Sequence, residues 1–344
     1  MKKLIDKLIS DGRLSMHEWQ TLIENRGEVC EYAEIKARQT AKEIFGNKIY
    51  IRGLVEVSNY CKNDCYYCGI RRSNKKCERY RLTKQQILSC CEAGYPLGFR
   101  TFVLQGGEDG FYSDDDLCEI VSKIKNRFGD CAVTLSLGER SYESYKRLYD
   151  AGADRYLLRH ETALEKHYAS LHPADMSLEN RKQCLYNLKE IGYQVGTGFM
   201  VGSPYQTAKN LAADMEFIQE LRPHMIGIGP FVPHADTPFS AEKGGSLELS
   251  VFMLSLCRLV LPHALIPSTT ALATIAPQGR EQGILHGANV VMPNLSPVSE
   301  RKKYLLYDNK ACTDEEAAEG LEKLKCQMQK IGYEIVYTRG DFEK

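Results

Sequence analysis

Short apolar runs alternate with longer amphipathic segments along most of this chain. Between about residues 49 and 310, each apolar run is followed by a stretch whose apolar positions have helical spacing. The short runs predict buried strands and the longer stretches predict helices. The predicted strands cover 49–57, 100–104, 132–137, 155–158, 193–200, 224–228, 264–267 and 289–292. These eight strand-then-helix units predict an α/β fold, a complete (βα)8 barrel of the TIM type.

The two ends of the chain have the pattern of helices added to this barrel. Residues 1–46 carry apolar positions at helical spacing, and Ser15 with Glu18 forms a capping-box signature. A last helix is predicted from about residue 313 to 331. We therefore expect an N-terminal helical extension over 1–48, the barrel over 49–310, and a C-terminal helix and tail over 311–344 that pack on the barrel.

Composition narrows the class of protein and the kind of partner. Lys and Arg number 45 and Asp and Glu also number 45, so the balance favours neither nucleic acid nor an acidic membrane as partner. Asp6 and Asp11 interrupt the apolar core that a signal peptide needs, and no apolar run approaches the ~18 residues of a membrane helix. The 13 cysteines are expected to be thiols in a reducing cytoplasm.

Three cysteines in a loop after the first predicted strand carry the strongest chemical signal. Cys61, Cys65 and Cys68 have C-x3-C-x2-C spacing. A [4Fe–4S] cluster normally takes four thiolates, so three leave one iron without a protein ligand, and an open metal position is typical of catalytic sites. Such an iron can chelate the amino and carboxylate groups of S-adenosylmethionine (SAM). One electron from the cluster then cleaves the sulfonium and yields a 5′-deoxyadenosyl radical.

Interpretations of the same cysteines that involve no radical chemistry stay open at this point. A zinc knuckle needs a fourth ligand, for which Cys77 stands nine residues beyond Cys68. The chain would then be a non-catalytic iron–sulfur or zinc scaffold. It contains no G-x-S-x-G, H-E-x-x-H or P-loop motif, so hydrolase and kinase chemistry have no support.

Polar residues recur where the predicted strands end, which is where barrel enzymes place their chemistry. Gly106 and Gly107 follow the second strand, and paired glycines let a backbone approach a ligand closely. Ser136 ends the third strand, and Thr269 and Thr270 end the seventh. With Thr134, these hydroxyls either donate hydrogen bonds to a substrate inside the barrel or satisfy one another.

Charged residues on the fourth predicted strand are unexpected in a buried barrel. Arg155, Arg159 and Glu161 must be paired or must bind something. They are either an internal ion pair or a carboxylate for SAM with cations for an anionic substrate. Arg181, on the following helix, is either a clamp for the SAM carboxylate or an exposed helix arginine.

Longer segments resemble one family. The sequence resembles the HydE-type [FeFe]-hydrogenase maturases, which are radical SAM enzymes. The segments that carry the resemblance are 65–72, 79–81, 103–109, 133–139, 153–163, 227–234 and 289–294. The arginine–histidine–glutamate strand end and the Gly-Pro-Phe-x-Pro-His loop are the most specific of these. Biotin synthases and methylornithine synthases share the cysteine motif and match the other segments less well, and a radical SAM amino-acid mutase or biotin synthase-like enzyme remains the alternative.

The resemblance implies a set of ligands and partners. It implies a [4Fe–4S] cluster on the three cysteines, SAM held by Gly106, Gly107, Glu161 and Arg181, and Tyr67 near the adenine. The substrate, a cysteine-bound Fe(CO)2(CN) unit used to build the hydrogenase H-cluster, would enter the barrel. Expected partners are an electron donor such as ferredoxin or flavodoxin and the other maturases, of the HydF and HydG types. The residues expected to meet the substrate are Thr134, Ser136, Arg155, Arg159, Thr269, Thr270, Met292 and Tyr304.

The chain departs from that family pattern near its C-terminus. Some members hold a second iron–sulfur cluster through three C-terminal cysteines, two of them in a C-x2-C pair. Cys312 is present here, but that pair is missing and Cys326 stands alone on a predicted helix. We therefore expect no second cluster.

Overall fold

The computed structural model describes residues 1–311 and 316–343, and its helices and strands follow the predicted alternation. The helices are α1 Lys2–Asp11, α2 Met16–Glu24, α3 Cys30–Phe45, α4 Lys84–Gly94, α5 Asp114–Arg127, α6 Tyr142–Asp150, α7 Glu165–Leu171, α8 Leu178–Ile191, α9 Ala208–Leu221, α10 Leu247–Val260, α11 Thr270–Ile275, α12 Gly279–Leu285, α13 Val298–Arg301 and α14 Ala317–Lys330. The strands are β1 Lys48–Ile51, β2 Gly53–Ser58, β3 Thr101–Gly106, β4 Ala132–Ser136, β5 Arg155–Leu157, β6 Gln194–Thr197, β7 Met200–Val201, β8 Met225–Ile226, β9 Gly229–Pro230, β10 Val290–Val291 and β11 Glu334–Val336.

A parallel sheet of six strands organises the fold. Its order is β2-β3-β4-β5-β6-β8, with helices between successive strands, and it is consistent with a TIM-like barrel. Isolated parallel bridges extend it at both edges: Met225 pairs with Leu265, Pro267 with Val290, and Asn294 with Leu54. The seventh predicted strand, 264–267, is present as these bridges rather than as a ladder, because Pro267 has no N–H to donate.

The first predicted strand is two strands in the structure. β1 and β2 meet at Arg52, and β1 leaves the six-stranded sheet to pair with β10 and β11. A side chain at Gly53 would require Leu295 to move, since its Cβ would lie 2.3 Å from Leu295 Cδ1. The sequence pattern missed β11, whose three residues are too few and too exposed to show a period.

The N-terminal helices cover one side of the molecule. Trp19 and Leu22 of α2 are buried against α9, and α3 packs on α10. The capping box at Ser15 and Glu18 is confirmed, because the Ser15 hydroxyl accepts from the Glu18 N–H while Glu18 accepts from the Ser15 N–H. In the part of the chain that is described, no helix is both long and apolar enough to cross a membrane. The predicted start of the last helix, with Cys312, lies outside the described residues.

Candidate active site

The cysteine loop leaves β2 and is held from several sides by backbone hydrogen bonds. Lys62 N donates to Glu108 O (2.9 Å), Tyr66 N to Leu171 O (2.9 Å) and Gly69 N to Leu306 O (2.8 Å). These contacts join the loop to the segments after β3, α7 and α13. The loop is therefore fixed against the segments at the carboxyl ends of the sheet strands.

The three thiols in this loop are free and are electrostatically coupled. Burial raises the pKa of the Cys68 thiol to about 12, and the neighbouring Cys61 thiol raises it further. Burial also raises the pKa of Cys61 and of Cys65. Because thiolates are the metal-binding form, a metal cluster must displace these protons when it binds.

The thiol set fits a cluster better than a single ion. Within residues 1–311 and 316–343, no group of three His, Cys, Asp or Glu side chains is close enough to hold one metal ion, and this includes the three cysteines of the loop. A four-iron cube is larger than one ion and joins more widely spaced thiolates. Cys77, the fourth ligand considered for zinc, contacts the Asn59 amide and the backbone of Glu78.

Gly106 and Gly107 bring the end of β3 directly against the cysteine loop. A Cβ added at Gly107 would lie 2.2 Å from Tyr60 O and 2.8 Å from Cys61 Cβ. Gly107 N also donates to Ser58 O at 3.1 Å. No residue with a side chain fits there, so the glycine pair sets the distance between its own backbone and the first cysteine.

A buried cluster of charges stands beside these loops. Arg181 is buried, with Nη2 at 3.3 Å from Glu108 Oε1 and Nε at 2.7 Å from Glu139 Oε1. Burial opposes the charge of Arg181, but Glu108 and Glu139 outweigh it and raise the pKa of the guanidinium well above its usual value. The exposed-arginine interpretation of Arg181 is therefore wrong. Sequence reasoning missed that Glu108 and Glu139 are its partners, because the three lie far apart in the chain.

Glu161 has a backbone conformation that side chains rarely adopt. Its φ is +65°, and its N–H donates to Gly198 O at 3.0 Å. A non-glycine residue in this region costs free energy and is common at functional sites. Arg159 Nη2 lies 3.1 Å from Glu161 Oε2, an ion pair without hydrogen-bond geometry, so this carboxylate oxygen retains bonding capacity.

A buried network behind the strand end holds this conformation. Asp214 of α9 accepts from the Ala163 N–H at 2.5 Å and lies 3.4 Å from His160 Nε2, while His160 Nδ1 contacts Thr197 Oγ1 at 2.9 Å. Burial raises the pKa of Asp214 to about 8 and lowers that of His160 to about 3. Sequence reasoning missed Asp214. An acid on the apolar face of α9, next to Leu211 and Met215, was the available signal.

Aromatic and sulfur groups line the other side of the cysteine loop. The Tyr67 hydroxyl contacts His172 Nε2 at 3.1 Å, and the His172 ring stacks on Tyr168 at 3.9 Å between centroids. Cys65 Sγ lies 3.7 Å from Met176 Sδ. His172 and Met176, from the segment between α7 and α8, carry no recognisable motif and were missed.

Several buried hydroxyl and guanidinium groups lack hydrogen-bond partners. Thr134 Oγ1, Thr269 Oγ1 and two guanidinium nitrogens of Arg159 are buried without a hydrogen bond. Buried polar groups are nearly always satisfied, so a bound molecule is the natural partner for these atoms. The other expected substrate residues have different positions: Ser136 ends β4, Thr270 begins α11, Met292 follows β10, and the Tyr304 hydroxyl lies 3.5 Å from Gln105 Nε2.

Arg155 is separated from this group. It is fully buried at the amino end of β5, where its Nη2 donates to Asp341 Oδ1 at 2.7 Å and to Arg339 O at 2.9 Å. Its Nη1 donates to Thr101 Oγ1 at 3.0 Å. Of the two interpretations of Arg155, the structure shows the internal ion pair and not a side chain open to substrate. Asp341 of the C-terminal tail supplies the carboxylate, and the sequence pattern gave no sign that the tail reaches this strand.

Comparison with known proteins agrees with this geometry. Residues 55–218 match the Radical SAM superfamily. The chain is 47% identical to the [FeFe] hydrogenase maturase subunit HydE of Thermotoga maritima over 81% of this chain and 79% of that protein. The crystal structure of methylornithine synthase superposes with a TM-score of 0.84 at 25% identity over 97% of both chains. The crystal structure of HydG, a maturase of the [FeFe]-hydrogenase, superposes with a TM-score of 0.81 at 21% identity, over 97% of this chain and 75% of HydG. This likeness shows a shared fold. The chain is a radical SAM enzyme and belongs to the HydE-type family of [FeFe]-hydrogenase maturases.

Proposed function

We propose that this enzyme cleaves SAM at a [4Fe–4S] cluster and uses the resulting radical on a cysteine-bound Fe(CO)2(CN) unit during H-cluster assembly. The observation that carries the proposal is the contact between the three-cysteine loop and Gly107, next to a Glu161 carboxylate oxygen without a hydrogen-bond partner. The identity of 47% to HydE supports the hydrogenase context.

Cys61, Cys65 and Cys68 are the proposed cluster ligands. When bound, the cluster supplies the electron that breaks the sulfonium of SAM and gives the 5′-deoxyadenosyl radical. The residues of the chain bind and orient. The close packing of Gly107 on Cys61 aligns the end of β3 with the cluster loop.

The ends of SAM match the charges around the loop. We assign the amino group to Glu161 and to the backbone of Gly106 and Gly107, and the carboxylate to Arg181. Glu108 and Glu139 fix the Arg181 guanidinium before SAM arrives. Tyr67, fixed by His172, is assigned to the adenine side.

The substrate is assigned to the barrel interior below SAM. Arg159, although paired with Glu161 at 3.1 Å, keeps guanidinium N–H groups without a hydrogen bond. Thr134 and Thr269 offer hydroxyls without hydrogen-bond partners, and this combination suits an anionic unit. Ser136, Thr270, Met292 and Tyr304 complete the proposed lining. We infer that the barrel is complete, since bridges at 265–267 and 290–294 connect β8 back to β2.

Anaerobic reconstitution tests the proposed function. Reduced with dithionite, the wild type is expected to convert SAM to 5′-deoxyadenosine, and Cys65→Ser is expected to abolish this because the cluster loses a ligand. Cys77→Ser, a cysteine outside the proposed set, is the matched control and is expected to retain activity. Intact SAM after reduction of a loaded cluster would contradict the proposal.

Metal content and substrate choice refine the same experiment. With one [4Fe–4S] cluster and no second cluster, iron is expected at about four per chain. A synthetic cysteine-bound Fe(CO)2(CN) complex is expected to be consumed together with SAM. Conversion of a free amino acid instead would favour the mutase alternative.

A further inference from the structure

Positive charge is concentrated around the cysteine loop although the whole chain is neutral. The formal net charge of the protein is zero, yet residues 59–81 contain seven Lys and Arg residues against two Asp and Glu. Of the two acids, Asp64 is held by Arg71 at 2.8 Å. The segment 59–81 therefore has a formal charge of +5, and one of its cations, Lys62, is paired with Glu108 at 3.3 Å.

The exposed cations lie on the loop itself. Lys62, between Cys61 and Asn63, and Arg72 and Lys75, in the turn that follows Cys68, are exposed. The Arg72 N–H donates to Asn63 O at 2.9 Å. The Asn74 amide donates to Gly69 O at 2.7 Å, so the turn is tied to the loop rather than projecting freely.

Two exposed aromatic rings lie against Arg81, the last cation of the same basic segment. Tyr60 is 36% exposed and Phe111 is 61% exposed. The Arg81 guanidinium stacks on both rings, at 3.7 Å from the centroid of Tyr60 and 4.5 Å from that of Phe111. Aromatic residues and arginine are enriched at protein interfaces. We call the surface formed by Tyr60, Lys62, Arg72, Lys75 and Phe111 the basic face.

The chemistry of the site requires a redox partner at this place. If the proposed function holds, each SAM cleaved consumes one electron from the cluster, and that electron must come from outside the chain. A carrier that loses one electron while the cluster gains one balances the step. Since the basic face covers the loop that bears the cluster ligands, a carrier seated there would have a short path to the cluster.

We propose that the basic face is the docking surface for a small acidic protein that carries one electron on a flavin or an iron–sulfur centre. Opposite charge accelerates encounter and orients the two proteins, and salt weakens it. The exposed rings supply apolar contact at the edge of the charged surface.

Binding measurements with reconstituted enzyme test this surface directly. Purified flavodoxin and, separately, a [2Fe–2S] ferredoxin are titrated anaerobically by calorimetry at low and high salt. Arg72→Glu combined with Lys75→Glu is expected to raise the Kd for at least one of them ~10-fold. Phe111→Ala is expected to raise the same Kd. Lys3→Glu combined with Lys330→Glu, exposed lysines of α1 and α14, is the control and is expected to leave the Kd unchanged.

Dithionite separates this proposal from the proposed function. A small reductant needs no docking, so the Arg72 and Lys75 variant is expected to cleave SAM with dithionite at the wild-type rate and more slowly with the carrier. Carrier binding that is unaffected by salt and by both face variants would overturn the docking surface. If the wild type failed to cleave SAM with dithionite, the proposed function would be overturned instead. The binding data would still decide whether the carrier docks on the basic face.

Discussion

At the scale of single residues, the site depends on side chains that only their surroundings explain. Glu161 stays in a left-handed backbone conformation because its own N–H donates to Gly198 O and because Asp214 holds the N–H of Ala163, two residues later. Asp214 in turn is surrounded by apolar neighbours on α9, and burial raises its pKa to about 8. A conformation that costs free energy locally is thus maintained by a buried network.

The raised pKa of Asp214 predicts a particular pH dependence of stability. The folded state keeps a proton on Asp214 that the unfolded state releases above pH ~4. The free energy of unfolding that this proton contributes is therefore lost as pH rises towards 8. Burial lowers the pKa of His160 to about 3, so through this group the free energy of unfolding rises with pH up to about 6.5. Above pH ~6.5 His160 is neutral in both states and does not change the stability. Between pH 6.5 and 8.5 the free energy of unfolding is expected to fall by about 2 kcal/mol through Asp214.

Denaturant unfolding at the two pH values measures this effect, with Asp214→Asn as the control. The asparagine amide is close in shape to the aspartate carboxyl group and does not titrate. The free energy of unfolding of the Asp214→Asn variant is therefore expected to change less with pH than that of the wild type over the same range. Equal pH slopes in the two proteins would contradict the assignment.

At the scale of elements, the glycine turn after β3 determines where the cysteine loop lies. Sequence alone identified Gly106 and Gly107 as glycines that let a backbone approach a ligand, but it gave no reason within the protein for Gly107 to lack a side chain. The structure provides one, since Tyr60 O and Cys61 Cβ occupy the space that a Cβ at Gly107 needs. The turn and the loop therefore pack as one unit.

Gly107→Ala is expected to displace the cysteine loop without unfolding the protein. The rate of SAM cleavage is expected to fall ~100-fold for a shift of about 1 Å, and iron incorporation is expected to fall as well. Gly110→Ala, three residues later in the same loop, is the matched control, because nothing lies within 4 Å of a Cβ there. Iron assay and product analysis check both variants, and full activity in Gly107→Ala would show that the loop adapts.

At the scale of the whole molecule, the C-terminal tail lies against the amino ends of strands of the central sheet, at Thr101, Arg155 and Gln194. β11 pairs with β1, and Phe342 packs against the buried apolar side chains of Met225, Leu265 and Val290. Asp341 neutralises the buried Arg155. The tail therefore completes the core of the domain, and we infer that residues 49–343 form a single cooperative unit with the N-terminal helices on its side.

Asp341→Ala is expected to lower the free energy of unfolding by about 3 kcal/mol, because it leaves the fully buried Arg155 without its carboxylate. Thermal or denaturant unfolding measures the loss. Glu343→Ala, an exposed acid two residues later, is the control and is expected to change stability by less than ~0.5 kcal/mol. A wild-type melting temperature in Asp341→Ala would mean that water or another group replaces the carboxylate.

The sequence by itself determined the features that local spacing encodes. The periods of apolar residues identified most strands and helices, and the spacing of Cys61, Cys65 and Cys68 identified the kind of chemistry. It also located Gly107 and Glu161 at strand ends, where a barrel gathers its reactive groups. These inferences need no knowledge of what lies across the fold.

Tertiary structure alone decided which charged groups meet. Arg181 pairs with Glu108 and Glu139, and Arg155 pairs with Asp341, across separations along the chain that no local pattern records. Whether an arginine stays available to a substrate depends on whether another segment brings it a carboxylate. That is a property of three-dimensional packing and not of the arginine or its neighbours in sequence.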